Sequence, residues 1–369
     1  MKNSPLSRRR FIGQVSSAAA AIALAPKINR AADRPAEGRK LGIALVGLGY
    51  YSTHELAPAL RLTEHCKLAG VVTGNRAKGA KWAEEYGFPE TNVYGYDTMA
   101  RMADNRDIDI VYAVTPNGLH AEHCIAAAKA GKHVICEKPM ANTVAECDAI
   151  IVACKDAGVR LSIGYRVHFD PFHEELRRLA RSKDFGPFMK MTGKCAFRMG
   201  GPQWRADKKL AGGGPTMDLG VYLIQESCMG ADAAPMAVIA RELPKKRPEL
   251  FRDVEETIEW TLEFPEGGRS ECYTSYNDSY DRFRADADKG WYEISPAFGY
   301  RGLKASTSKG PIEIVPPRSQ QALQMDDFAK CVKSSEPSRV PGEMGRRDLV
   351  VIEAIFASAA SGKRVEIKV

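Results

Sequence analysis

In KLGIALVGLGYYST an apolar run ends in Gly47 and Gly49, and a helical pattern that includes Leu56, Leu60 and Leu62 comes after it. A strand, a tight glycine turn and a helix start present backbone N–H groups to a pyrophosphate, because the first N–H groups of a helix have no partner of their own. Ser52 takes the place of a third glycine, so this spacing alone is a weak sign. The second strand strengthens it. That strand, Leu68 to Val72, has no carboxylate at its end to accept from a ribose 2′-hydroxyl. Thr73, Asn75, Arg76 and Lys78 stand there instead, a hydroxyl and two cations suited to a 2′-phosphate, which favours NADP over NAD. Arg76 or Lys78 taken singly could equally open a solvated helix. Two further apolar runs close in PNGLH and CEKPMA and a third in IGYR, which puts Pro116, Asn117, Glu137, Lys138, Tyr165 and Arg166 at strand ends.

The elements that must hold these residues alternate. DIDIVYAV is followed by the helix AEHCIAAAKAG, KHVIC by TVAECDAIIVACKDAG, and VRLSI comes next. Apolar strands alternating with helices of this length predict a parallel, doubly wound sheet over residues 41–163, with ligands outside the strand carboxyl ends. From about residue 186 the pattern becomes long alternating strands joined by EGG, DKG and SKG turns, each a hairpin signature. The fold class expected is therefore an α/β Rossmann domain plus an α+β domain, residues 164–369, with a large, mostly antiparallel open sheet. A helix from about Asp348 to Ala360 is expected to close the chain. One face of so broad a sheet needs a cover, and a homo-oligomer, dimer or tetramer, supplies it.

The net charge of +7 owes four charges to Lys2, Arg8, Arg9 and Arg10, so the remainder does not form a nucleic-acid surface. Nine cysteines are scattered without a C-x-x-C, and His120 and His123 have no ligand cluster around them, so no metal is expected. The chain opens on SRRRFIG and then QVSSAAAAIALAP. Ser7, Arg8, Arg9, Phe11 and Ile12 match a twin-arginine signal, and the apolar stretch is too short for a membrane anchor. Residues 1–25 are read as that signal, with cleavage after Ala25 or within NRAA both open, and residues 26–40 as an extended arm. Export to the periplasm is then expected, by a route that carries folded proteins.

The motifs VGLGYY, PNGLHAE, AGKHVICEKPMA, IGYRVHFDP, QWR, LAGGGPTMDLGVY and PGEMG occur in this order from Leu41 nearly to the C-terminus. In this the chain resembles the Gfo/Idh/MocA oxidoreductases, and among them the exported glucose-fructose oxidoreductase group. SYNDSYDRF and MDLGVYLIQESCMG keep the frame without matching throughout, so the sugars are left open.

The resemblance implies a site. It places Tyr222 beside Lys138, with the phenol as the acid–base group for a sugar hydroxyl. A free phenol is a poor base near neutrality, and a neighbouring ammonium improves it. Asp218, at i, i+4 from Tyr222, would hold a sugar hydroxyl or orient Lys138, and Tyr300 would lie over the substrate. Nucleotide contacts carried over are Gly47, Leu48, Gly49, Tyr50, Tyr51, Thr73, Lys78 and Tyr96. Pro116, Asn117, His120, Glu137, Lys138, Arg166, Trp204 and Arg205 complete them. The reaction implied is oxidation of an aldose at C1 by tightly held NADP, with the hydride passed to a second sugar, fructose or another aldose, in a ping-pong cycle. No nucleotide pool exists outside the cytoplasm, which accounts for export of the cofactor inside the protein. Two alternatives stay open: glycoside cleavage by transient oxidation, and sugar-responsive NADP binding without turnover.

Overall fold

The computed structural model describes residues 38–369; the expected signal, and the expected arm as far as residue 37, lie outside them. Six parallel strands form the first sheet: β1 (Leu41–Val46), β2 (Cys66–Val72), β3 (Val93–Tyr94), β4 (Ile110–Ala113), β5 (His133–Cys136) and β6 (Leu161–Ile163). Their order is β3-β2-β1-β4-β5-β6, the doubly wound arrangement expected. The period of two sorts each strand between two cores. Ile43, Leu45 and Tyr112 face one side; Ala44, Val46 and Val111 face the other.

Helix α1 (Ala57–Leu60), reached through a π-helical turn Ser52–Leu56, and α2 (Arg76–Tyr86) cover the first side, while α3 (His120–Lys129) and α4 (Val144–Asp156) cover the second. Leu56 and Leu60 are buried as expected, but Leu62 lies beyond the end of α1 and is exposed. Of the arm, Arg39 is fastened at the opposite end of the sheet from the glycine turn, pairing with Asp109 at 2.6 and 3.0 Å.

After α5 (Pro171–Ser182), the short helix α6 (Lys208–Ala211) and α7 (Val221–Ala231) accompany a nine-stranded sheet. Its strands are β7 (Lys190–Ala196), β8 (Ala237–Glu242), β9 (Thr257–Glu263), β10 (Arg269–Ser275), β11 (Tyr280–Ala287), β12 (Gly290–Ile294), β13 (Ala305–Thr307), β14 (Gly310–Ile312) and β15 (Val365–Glu366). The order is β14-β13-β12-β11-β7-β10-β9-β8-β15, antiparallel throughout except between β7 and β10. The EGG, DKG and SKG turns join β9 to β10, β11 to β12 and β13 to β14. α7 packs against the inner face at Gly193, where a Cβ would come within 2.8 Å of Leu223, so the glycine sets how close the helix lies.

Two elements depart from expectation. The closing helix α9 spans Gly342–Ser361, starting before Asp348, and α8 (Gln320–Ser334) packs on the first sheet, its Met325, Phe328 and Ala329 joining the core of Leu45 and Val71.

Candidate active site

At the glycine turn, Gly47 has φ +93° and a Cβ there would lie 2.9 Å from Thr115, so only glycine serves. Gly49 faces open space, and the helix start at Tyr50 and Tyr51 comes directly after it. Ser52 explains the missing third glycine: it is fully buried and its hydroxyl donates to the Gly47 carbonyl at 2.5 Å. Beside the turn, Asn75 caps α2 by accepting from the Lys78 N–H at 2.9 Å, and the Lys78 ammonium donates to the Leu48 carbonyl at 2.5 Å. Thr73 is buried at the end of β2, while Arg76 is exposed. Tyr96 stacks on His123 at 5.0 Å, near Gly74. An open turn at a helix start, with cations and no carboxylate at the β2 end, fits a dinucleotide.

The strand ends carry the second group. The Glu137 carboxylate accepts from the Tyr112 hydroxyl at 2.6 Å and from the Lys138 N–H at 3.0 Å, and it packs on Gly164, where a Cβ would fall 2.4 Å from its oxygen. The Lys138–Pro139 bond is cis. The Lys138 ammonium donates to the Asp218 carbonyl at 2.7 Å and to its carboxylate at 3.2 Å, and lies 4.7 Å from the centre of the Tyr222 ring. Burial works against this ammonium, but Tyr222, Asp218 and Glu137 outweigh it and hold its pKa above the ordinary lysine value. Asp218 also accepts from Arg205 at 2.9 Å and from the Tyr276 hydroxyl at 3.1 Å. Burial pushes its carboxyl up, yet Lys138 and Arg205 win and hold it at about 2. Of the two roles expected for Asp218, the geometry displays the orienting one.

Arg166, expected among the nucleotide contacts, lies against the phenol. Its Nε donates to the Tyr222 oxygen at 3.2 Å, and its guanidinium lies 4.6 Å from the centre of the Tyr300 ring, which in turn meets Tyr51 at 5.8 Å. Lys138, Asp218, Tyr222, Arg166, Arg205, Tyr300 and Tyr51 are thus one cluster. Of the other expected residues, Glu137 and Trp204 join it through Lys138 and Arg205. Tyr50 is exposed against His54, and Trp204 is half-buried under Arg205. Asn117 donates to the Ala211 carbonyl at 2.9 Å, fastening the loop that Pro116 begins to α6. His120 is fully buried between the carbonyls of Thr115 and Pro139; burial drops it to about 4, so the neutral ring donates to one of the two and acts as a brace. Tyr276, Phe298 and Gln320 belong to the cluster and carry no signal in the sequence: each joins it through contacts made between distant segments.

A glycine-turn sheet whose strand ends carry a partly buried lysine and a buried arginine, which meet a buried tyrosine from α7, defines a two-domain, nucleotide-dependent oxidoreductase. Residues 41–165 match the oxidoreductase family, NAD-binding Rossmann fold, and residues 173–293 match the GFO/IDH/MocA C-terminal domain. The chain belongs to the Gfo/Idh/MocA family. It is similar to the aldose-aldose oxidoreductase from Caulobacter crescentus, solved with glycerol, at 42% identity and a TM-score of 0.87 over 89% of this chain and 100% of that one. It is also similar to D-xylose 1-dehydrogenase [NADP(+)] of Haloarcula marismortui, at 28% identity over 91% of this chain and 95% of the relative. D-glucoside 3-dehydrogenase of Escherichia coli is 24% identical over 89% of this chain and 97% of its own length.

Proposed function

We propose that this protein is an NADP-dependent sugar oxidoreductase that keeps its nucleotide, oxidises an aldose at C1 to the lactone, and passes the hydride to a second sugar. The observation that carries the reading is the Tyr222 phenol, its oxygen held by Arg166 and its ring by the Lys138 ammonium. The bound nucleotide would supply the hydride acceptor, and its reduced form the donor for the second sugar. Tyr222 takes the proton from the sugar hydroxyl in the first half-reaction and returns it to the carbonyl oxygen in the second. Lys138 and Arg166 stabilise the phenolate that takes up that proton and that is left when it is returned, and Asp218 keeps Lys138 in place. Thr73, Arg76 and Lys78 at the β2 end support NADP, as does the cofactor named for the xylose dehydrogenase relative. An aldose as the second sugar has the support of the aldose-aldose oxidoreductase likeness.

Export by the twin-arginine route belongs to the same reading, since a nucleotide used in a closed cycle needs no pool. A homo-oligomer is proposed to cover the outer face of the large sheet. That face exposes Ile239 and Tyr280 and carries a groove of about 630 Å³ along Lys194, Ile239 and Tyr273, lined by none of the site residues. The test is direct. Protein purified and dialysed is expected to release one NADP(H) per chain on denaturation. Given an aldose without added nucleotide, it is expected to form lactone and polyol in equal amounts. An empty site, NAD alone, or lactone only in proportion to added NADP overturns the proposal.

A further inference from the structure

A ring of buried polar groups runs behind the phenol. Arg166 donates from Nε to the Tyr222 oxygen and from a terminal nitrogen to Gln320 Oε1. The Gln320 amide donates to Asp170 Oδ2 at 2.7 Å. Asp170 Oδ1 lies 3.4 Å from His173 Nδ1, and His173 Nε2 lies 3.3 Å from Glu226 Oε1, distances of ion pairing without hydrogen-bond alignment. Glu226 stands one turn beyond Tyr222 on α7, so the ring closes on the helix where it begins. No member is more than 7% exposed.

Arg166 has no carboxylate at ion-pair distance among the described residues; two further bonds go to the Phe298 and Gly299 carbonyls. A buried guanidinium needs a counter-charge, and the one tied to it by hydrogen bonds stands a link away, on Asp170. Burial pushes Asp170 up, but His173, Gln320 and the Phe172 N–H outweigh it and keep it ionised. An uncharged amide between the two fixes the guanidinium without neutralising its field at the phenol. A carboxylate at that place would hold it as firmly and cancel that field. We infer that Gln320 and Asp170 are positioning residues, which hold the Arg166 N–H on the Tyr222 oxygen while keeping the balancing negative charge one residue removed. This rests on the acid–base role proposed for Tyr222.

The test moves the charge and keeps the atoms. In the double variant Gln320→Glu/Asp170→Asn the carboxylate stands directly on Arg166, an amide still donates to it, and asparagine still caps α5. The other charged or titratable groups facing Tyr222 and Arg166, namely Lys138, Glu137, Asp218, Arg205, Tyr51, Tyr300 and Glu226, keep their identity, as does His173 between Asp170 and Glu226. With fluorotyrosine in place of Tyr222, the fluorine resonance of the nucleotide-loaded protein is expected to titrate at higher pH than in the unswapped protein. Single-turnover reduction of the bound nucleotide by D-xylose is expected to slow about 10-fold with KM little changed, a share of the roughly 10²–10⁴-fold that a placed acid–base group contributes. Gln320→Leu, which leaves Asp170 its Phe172 and His173 partners, is expected to slow the same step without the alkaline displacement. A fluorine titration that the swap leaves unmoved, or a Gln320→Leu rate equal to wild type, overturns the inference. The fluorine readout needs no sugar, so failure of every aldose to reduce the nucleotide counts against the proposed function alone.

Discussion

Asp218 shows how one carboxylate can be used up. Two cations and a phenol hydroxyl occupy its oxygens, so it is the fixed centre from which Lys138 and Arg205 are aimed. Its pKa sets the sign of its effect. A carboxyl held at about 2 in the fold, against 3.8 for an ordinary aspartate, contributes stability that is present above the ordinary value and is lost as pH falls from 3.8 towards 2. The proposed mechanism gives Lys138 and Tyr222 parts in the same proton transfer, and removal of either one tests it. Lys138→Met and Tyr222→Phe are each expected to slow cofactor reduction by about 10²–10⁴-fold while nucleotide content stays at the wild-type level. Both keep the glycine turn intact, so content is measured after denaturation and rate in a single turnover. A Tyr222→Phe protein within a few-fold of wild type would remove the phenol from the mechanism.

At the scale of elements, α7 carries the phenol and, a turn later, a buried acid. Burial raises Glu226 to about 7 from 4.5, with His173 opposing the rise and Asp170 adding to it. The fold therefore holds this proton more tightly than the unfolded chain does. Its stabilising contribution is full below 4.5 and is lost as pH rises through about 7, a change of about 3 kcal/mol. Glu226→Gln keeps the shape of the protonated acid, so it is expected to match wild type near about pH 5 and to melt at higher temperature near about pH 8. Thermal melts at both values decide it, and a variant less stable at the higher pH would show that the charged acid is needed.

The same scale shows what is legible in the sequence. Strand and helix periods mark the first sheet, and glycine turns mark the hairpins, because backbone geometry and local burial set both. α8 is hidden because Gln320, Gln321 and Gln324 are buried polar residues that break the apolar period. Lys138, Asp218 and Tyr222 are reached by motif, whereas the bond from Arg166 to Gln320 spans 154 residues and exists only once the helices have packed.

Across the whole molecule, the nine cysteines are buried and unpaired. Burial raises eight of these thiols, Cys147 and Cys154 to about 12 and Cys228 and Cys272 to about 11 among them, so almost none of the eight is thiolate near neutral pH and they resist oxidation in the folded protein. The unfolded chain has no such protection. Nine exposed thiols in an oxidising compartment would pair at random, and each mispair would block the two cores that Cys66, Cys136 and Cys272 help to fill. A protein of this kind must be folded before it meets such a compartment, which is the physical case for the proposed twin-arginine route. Replacing residues 1–25 by a signal that threads unfolded chains is therefore expected to give exported protein with disulfide-linked species on non-reducing gels. Its thiol count after denaturation is expected to fall below nine. Protein made with its own first residues is expected to show all nine thiols after denaturation and almost none before. Counting thiols separates this from the supply of nucleotide, which the threaded chain would also lack. If the threaded protein returns all nine thiols and folds with added NADP, burial of the cysteines places no demand on the export route.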